Sequence, residues 1–318
     1  MTRTITYAQA AEEAILEEFR RDPKTVHLAT DMDYALLEEF GPERIRQLPI
    51  AESSFVGAAI GLAGSGFRPV ANLRMATFAF VAMDQFVNQA AKITYMFGGQ
   101  RKFPILYRMT VGASKSWAAQ HSISPYAMYM NVPGLKLILP ATPYDVKGLL
   151  KTAMRDNNPV ISFEHMAIGG FEGEVPDEEY TIPLGQAAVR REGTDVTVVA
   201  LAKLMHDSLD VAGELAKEGI SAEVIDPRTL VPFDRDTVKK SVLKTGRLVV
   251  VDEACITCGV AAEITAMVTE DREVFAGLKA APRRVCGKDV PIPYSPPMEQ
   301  FALASRDDIA AAIREVVA

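Results

Sequence analysis

Three cysteines, four histidines, one tryptophan and no surplus of positive charge mark this 318-residue chain, in which 41 acids stand against 34 Lys and Arg for a net charge of −7. Each scarcity excludes a class of protein. Three cysteines build no disulfide framework, and Cys255 and Cys258 of "CITC" have no histidine nearby to complete the four ligands of a zinc site, so reduced, structural thiols are expected. Without clustered Lys and Arg there is no footprint for nucleic-acid phosphates. The longest apolar run, Phe55 to Ala63, falls short of the roughly 18 residues of a membrane span and reads as a core helix. The opening "MTRTITYAQAAEEAILEEF" has neither the apolar core of a signal peptide nor the acid-poor character of a transit peptide, which implies a cytoplasmic location. Phosphate motifs are missing too: no Walker loop, no GxGxxG, and no GDG of the kind that opens a magnesium-diphosphate motif. The glycines of "GLAGSG" close a helix, whereas a nucleotide loop opens one.

What is present is the material of a sizeable core, with 48% hydrophobic and 24% charged residues. A first helix opens on Thr6 with Gln9 at capping-box spacing and turns Ala8, Ala11, Ile15 and Phe19 to one side. The β-rich runs "TVHLA", "PVANL", "FPILYRM", "LKLILP" and "PVISF" then alternate with helix-length amphipathic segments, the rhythm of a parallel sheet covered on both faces. "ANLRMATFAFVAMDQFVNQAAKITYMFGG" reads as a strand running into a long helix. From about Glu164 to Leu184 the pattern lapses into Gly, Pro and acids, read as a linker. A second alternating set follows, with helices near 204–217, 234–243 and from about Val260, and a final helix capped by the Ser of "SRDDIAAAIREVV". The fold class is therefore α/β, two doubly wound domains spanning 1–186 and 187–318.

Four places hold chemistry. Glu52, in "LPIAESSFVGAAIGLAGSGFRPV", sits between a short apolar run and a helix kept slim by Gly57, Ala58, Gly61 and Gly64. In the plain reading it favours the positive end of the helix dipole, with Ser53 or Ser54 as the cap. In the functional one it is a desolvated carboxylate needing a donor. His121 lies in a Gly/Ser/Ala-rich loop between a strand and a helix beginning near Ser122, where parallel sheets bind ligands, and is either a structurally satisfied histidine or a group that exchanges protons near neutral pH. Arg74 follows a strand and is either a surface ion pair or a fixed cation for a carboxylate or phosphate. "TPYDVKGLLKTAMRDNNPV" ends in oxygens from Asp156 and Asn158 that suit a hard monovalent cation, unless Lys151 and Arg155 merely cap the helix.

The combination "IAESSFVGAAIGLAGSGFRPV", "MFGGQRKFPILYRMTVGAS", "AAQHS", "VPGLKLILPATPYDVKGLL", "AMRDNNPVISFEH" and "VIDPRTLVPFD", in this order over nearly the whole chain, resembles the beta subunits of the thiamine-diphosphate-dependent decarboxylase component of 2-oxo acid and acetoin dehydrogenase complexes, within the transketolase-like superfamily. The resemblance implies a pyrimidine-binding domain followed by a transketolase C-terminal-like domain. It implies that Glu52 bonds N1′ of the thiamine aminopyrimidine, that Phe78 packs on that ring, that His121 handles protons, and that a potassium ion is held by the carbonyls of Ile105 and Ala153 with Asp156 and Asn158. It also implies an alpha subunit that carries the diphosphate and Mg2+, an α2β2 assembly, and a lipoyl acyltransferase as acceptor. The chain departs from the family in two places. "LATDMDYALLEEFG" lacks the usual GEDV motif and its long loop, and Asn72-Leu73-Arg74 stands where Glu-x-Met is common, which makes Arg74 a candidate for an anionic substrate group. The C-terminal half of a split transketolase acting on a sugar phosphate is the alternative, and a scaffold subunit without turnover a third.

Overall fold

The computed structural model describes Thr2–Ala318. The chain divides into two compact units, one of 1–111 with 128–184, the other of 112–127 with 185–318.

In the first unit, strand β1 (Thr2–Thr6) leads into helix α1 (Tyr7–Arg21), where Thr6 accepts from the Gln9 N–H and Gln9 answers on the Thr6 N–H, the expected capping box. There follow β2 (Thr25–Ala29), α2 (Tyr34–Phe40), β3 (Ile45–Gln47), α3 (Glu52–Gly64), β4 (Arg68–Met75), the single turn α4 (Ile93–Met96), β5 (Leu106–Val111), α5 (Tyr126–Met130), β6 (Lys136–Ile138), α6 (Pro143–Arg155), β7 (Val160–His165) and β8 (Glu172–Pro176). Six strands of this unit run parallel in the order β6-β7-β5-β4-β2-β3. Val70, Leu106 and Val160 are register partners that pack with α1 and α6 into one core, so Asn72 and Arg108, two residues on, belong to the same face. Tyr107 points the other way, edge-on to Phe86 with ring centroids 4.7 Å apart, on the face where α3 covers β4.

Three readings of the sequence change here. The supposed linker is part of this unit: β8 pairs antiparallel with β1, and Val175 and Ile182 enter the α1–α6 core. The long helix after β4 is instead a 3₁₀ turn, Phe78–Ala82, a π-helical stretch, Gln85–Ala90, and α4. At its far end the Ala91 carbonyl lies so close to Gly134 that a Cβ there would sit 1.9 Å from the oxygen. The helix α6 is not closed by its own basic residues: buried Lys147 and Lys151 and half-buried Arg155 reach Glu17, Glu18 and Glu179, tying α6 to α1.

The second unit contains β9 (Ala188–Arg191), β10 (Val196–Ala200), α7 (Lys203–Leu215), β11 (Ala222–Asp226), β12 (Thr229–Val231), α8 (Arg235–Thr245), β13 (Leu248–Cys255), α9 (Val260–Thr269), α10 (Arg272–Gly277), β14 (Arg283–Gly287), α11 (Pro296–Ala302) and α12 (Arg306–Val317). Its sheet has the order β14-β13-β10-β11-β9, with only β9 antiparallel. Strands β10, β11 and most of β13 are buried along their length, as a sheet covered on both faces requires. No helix among the described residues is long and apolar enough to cross a membrane.

Candidate active site

Glu52 is the first residue of α3, after Ala51, which offers no side-chain cap. Neither serine caps the helix, and the Ser53 hydroxyl instead donates to the Val81 carbonyl, fastening the start of α3 to the Phe78–Ala82 turn. The helix end is therefore left with its free N–H groups and a carboxylate at its mouth. Glu52 is 8% exposed, and its carboxylate has no hydrogen bond or ion pair among the described residues. The eight other buried acids all have partners. Glu18 meets Arg155, Asp145 meets Thr142, Asp207 meets Lys203, Glu223 meets Lys244, and Asp226 meets Arg190. Asp252, Glu253 and Glu299 are bonded as described below. A buried carboxylate is costly unless paired, so Glu52 marks a position whose donor comes from outside the chain. Half-buried Phe78 begins the turn that Ser53 holds, so an acid and an aromatic ring are carried on two elements tied at that point.

Arg74 lies on a bulge where the β4–β5 register slips between Asn72 and Met75. Its φ of 63° is left-handed, and its N–H donates to the Asn72 side chain at 3.0 Å. Strained non-glycine backbone of this kind is concentrated at functional sites. The guanidinium is exposed and pairs with Asp31, from the short segment after β2.

His121 is half-buried in the 112–127 loop, which packs with the second unit. The helix expected near Ser122 begins only at Tyr126, directly after Pro125, whose ring disfavours helical backbone at Ser124. Glu253 accepts the Ala113 N–H at 2.7 Å, Glu299 accepts those of Ser114 and Ser116 at 3.0 and 3.2 Å, and Asp252 accepts the Tyr126 hydroxyl. Ser114, Ser116 and Ala118 all have positive φ, so these carboxylates secure a backbone that would not hold its shape alone. Burial pushes Asp252 up to about 6, against the Tyr126 hydrogen bond that lowers it. The sequence reading passed over Asp252, Glu253 and Glu299. The signal for the first two was available, since "VVVDEAC" puts two acids at the carboxyl end of a parallel strand.

Ile105 and Ala153 offer carbonyls that already accept from Val160 and Asp156, each with a second lone pair to spare. Asp156 and Asn158 line a cleft of about 500 Å3 with Lys136, Thr152 and Arg155. Although burial works to raise it, the Asp156 carboxyl is held below its ordinary range by the Lys136 ammonium and by Asn158. Among the described residues no cluster of three His, Cys, Asp or Glu could hold a metal.

The model of the transketolase pyrimidine binding domain matches residues 3–167, and that of the transketolase C-terminal domain matches 185–309. Full-length likeness decides the rest: the acetoin:2,6-dichlorophenolindophenol oxidoreductase subunit beta of Cupriavidus necator is 44% identical, covering 100% of this chain and 98% of the relative. The chain belongs to the beta-subunit family of the thiamine-diphosphate-dependent acetoin and 2-oxo acid dehydrogenases. A pyruvate dehydrogenase E1 component subunit beta from Rickettsia felis is 42% identical over 98% of both chains. The 2-oxoisovalerate dehydrogenase subunit beta of Bacillus subtilis is 38% identical, again over 98% of both. Among solved structures, a split gene transketolase described as an inactive beta4 tetramer superposes with a TM-score of 0.79 at 26% identity, over 98% of each chain. This beta subunit therefore has the two-domain transketolase plan, and it shares more sequence with the dehydrogenase subunits than with that transketolase.

Proposed function

We propose that this beta subunit supplies the aminopyrimidine half of a thiamine-diphosphate site in an enzyme that cleaves the C–C bond beside a carbonyl, in a 2-oxo acid or acetoin, and passes the acyl group to a lipoyl acceptor. The observation that carries the reading is Glu52, buried and unpartnered at the mouth of α3 beside the Phe78 turn. An orphaned carboxylate suits a ring nitrogen that must be held protonated, and an adjacent aromatic suits a flat heterocycle, so these residues fit the cofactor. Thiamine diphosphate, when bound, supplies the carbanion chemistry that no side chain can. Glu52 holds the proton at N1′, and the low polarity around it strengthens that bond. Phe78 orients the ring and excludes water. His121 exchanges a proton with the substrate oxygen or the lipoyl sulfur, from a loop that Glu253, Glu299 and Asp252 keep in place.

As a beta subunit the chain works with an alpha subunit. The finer proposals are an α2β2 assembly in the cytoplasm, Mg2+ and diphosphate held by the alpha chain, a lipoyl acyltransferase beyond it, and a potassium ion on Ile105, Ala153, Asp156 and Asn158. Those four donors are oxygens, as a hard monovalent ion prefers, and the ion would share Asp156 with Lys136. Arg74 would receive an anionic substrate group in exchange for Asp31.

The test is co-expression with the alpha partner. The complex should bind thiamine diphosphate by calorimetry and reduce lipoamide with acetoin or a 2-oxo acid as donor. Transfer of a two-carbon unit to an aldose phosphate, with no lipoamide reduction, would instead favour the split-transketolase reading. Cofactor affinity unchanged by Glu52→Ala would remove the basis of the proposal.

A further inference from the structure

On the sheet face opposite α3 lies a half-enclosed cavity of about 540 Å3, bounded by α1, the start of α2 and the strands β2, β4 and β5. Its polar lining includes His27, Asn72, Arg108, Glu12 and Asp33.

Several of these groups have capacity left over. His27 is 5% exposed, yet its ring has no hydrogen-bond partner among the described residues. Burial, then the Arg108 charge, push it down to about 4, so it is a neutral donor and acceptor at physiological pH. Arg108 grips Glu164 through Nε and one Nη at 2.8 and 2.6 Å, leaving the other Nη unused. Glu12 is unpaired, while Asp33 spends one oxygen on the Leu36 N–H at 3.0 Å. The two acids lie near the two bases: Asp33 acts electrostatically on His27, and Glu12 on Arg108. The rest of the lining has an apolar wall of Ile5, Ile15, Leu16 and Leu36, with Gln9 and the Arg3–Glu13 ion pair, whose charges are spent on each other.

We infer that this cavity binds a small zwitterion of the α-amino-acid class with an apolar side chain, at a site separate from that of Glu52. The free Nη of Arg108 and the ring of His27 receive the carboxylate, Glu12 and Asp33 receive the ammonium, and the Leu16–Leu36 wall takes the side chain. A plain anion would face two uncompensated acids, and a plain amine would leave Arg108 unused.

Titration calorimetry on the complex of this chain with its alpha partner tests the inference, using L-leucine, 4-methylpentanoate and 3-methylbutylamine as probes. Leucine should bind, with each one-charge analogue at least about tenfold weaker. Glu12→Gln, an exposed position that folding does not depend on, should weaken leucine by about tenfold and leave lipoamide reduction unchanged. His27→Phe, which fills the cavity, should abolish binding. No heat with leucine, equal affinity for 4-methylpentanoate, or full affinity in Glu12→Gln would each overturn the inference.

Discussion

Glu52→Gln should make the isolated chain more stable and the assembled enzyme less able to hold its cofactor. In the free chain Glu52 as a residue is 8% exposed and its carboxylate has nothing among the described residues to bond it. Replacing the charge by an amide of the same shape relieves a desolvation cost of about 1–3 kcal/mol. Against this, an acid in the first turn of α3 gains about 0.3–1 kcal/mol from the helix dipole, which the amide forfeits. The net gain is about 1 kcal/mol, a rise of roughly 2–4 °C in the first domain's melting temperature for a unit of this size. With cofactor present the sign reverses, because a hydrogen bond to a charged group contributes about 1.5–3 kcal/mol and its loss weakens binding by about ten- to a hundredfold. Differential scanning calorimetry of the free chain and cofactor titration of the complex read the two effects separately. A variant that melts lower and binds thiamine diphosphate normally would show that Glu52 has a structural partner and no role at the ring.

Four other outcomes are expected. Glu299→Ala should lower kcat for lipoamide reduction more than it changes KM, and Glu299→Gln should recover part of it, since the amide oxygen still accepts the Ser114 and Ser116 N–H groups; equal loss in both variants would mean that charge, not loop shape, matters. Because the folded pKa of Asp252 lies at about 6, above its ordinary 3.8, the ionised form costs stability above that pH and the cost fades as pH falls toward 4. Asp252→Asn should therefore stabilise the chain at pH 8 by at most about 3 kcal/mol and hardly at all at pH 4, which denaturant melts at the two pH values check. Lys136→Met should make the melting temperature depend on K+ in the millimolar range, because Asp156 then lacks its resident cation; indifference to K+ would count against the proposed ion site. Gly134→Ala should prevent folding or cost several kcal/mol, since φ is +107° and the new Cβ would meet the Ala91 carbonyl at 1.9 Å.

Local signals carried far in the sequence. The Thr6–Gln9 capping box and the acid opening α3 are each decided within four residues, and each is where the pattern puts it. The strand β8 was illegible because it pairs with β1, an edge ribbon whose exposed residues show no alternation. The break in the helix after β4 goes with the close approach of Gly134, more than forty positions from Ala91, and no local periodicity reports such a contact. Glu299 was missed for the same reason. It lies 185 and 183 residues from the N–H groups it accepts, and an acid inside a surface-like "PPMEQFA" helix carries no mark of burial. Arg74 was readable as an anomaly, but its partner Asp31 was not, since the pairing depends on a bulge that only the register reveals.

Unspent hydrogen-bonding capacity links the two sites. Most buried titratable groups among the described residues are satisfied internally, the lysines of α6 by the acids of α1, Arg228 by the Gln186 and Ala187 carbonyls, and His165 by the Ala167 N–H, although the Tyr107 and Tyr129 hydroxyls are not. Glu52 and His27 are exceptions, and they serve opposite faces of one parallel sheet. Unpartnered hydroxyls such as those of Tyr107, Tyr129 and Ser208 fall within the core, but neither Glu52 nor His27 does. One instead opens at a helix N-terminus beside an aromatic turn, the other into a cavity with a half-used arginine and an unpaired acid. Each vacancy thus comes with complementary groups around it, the arrangement that a ligand's own polar atoms complete and that an apolar core would have no reason to keep.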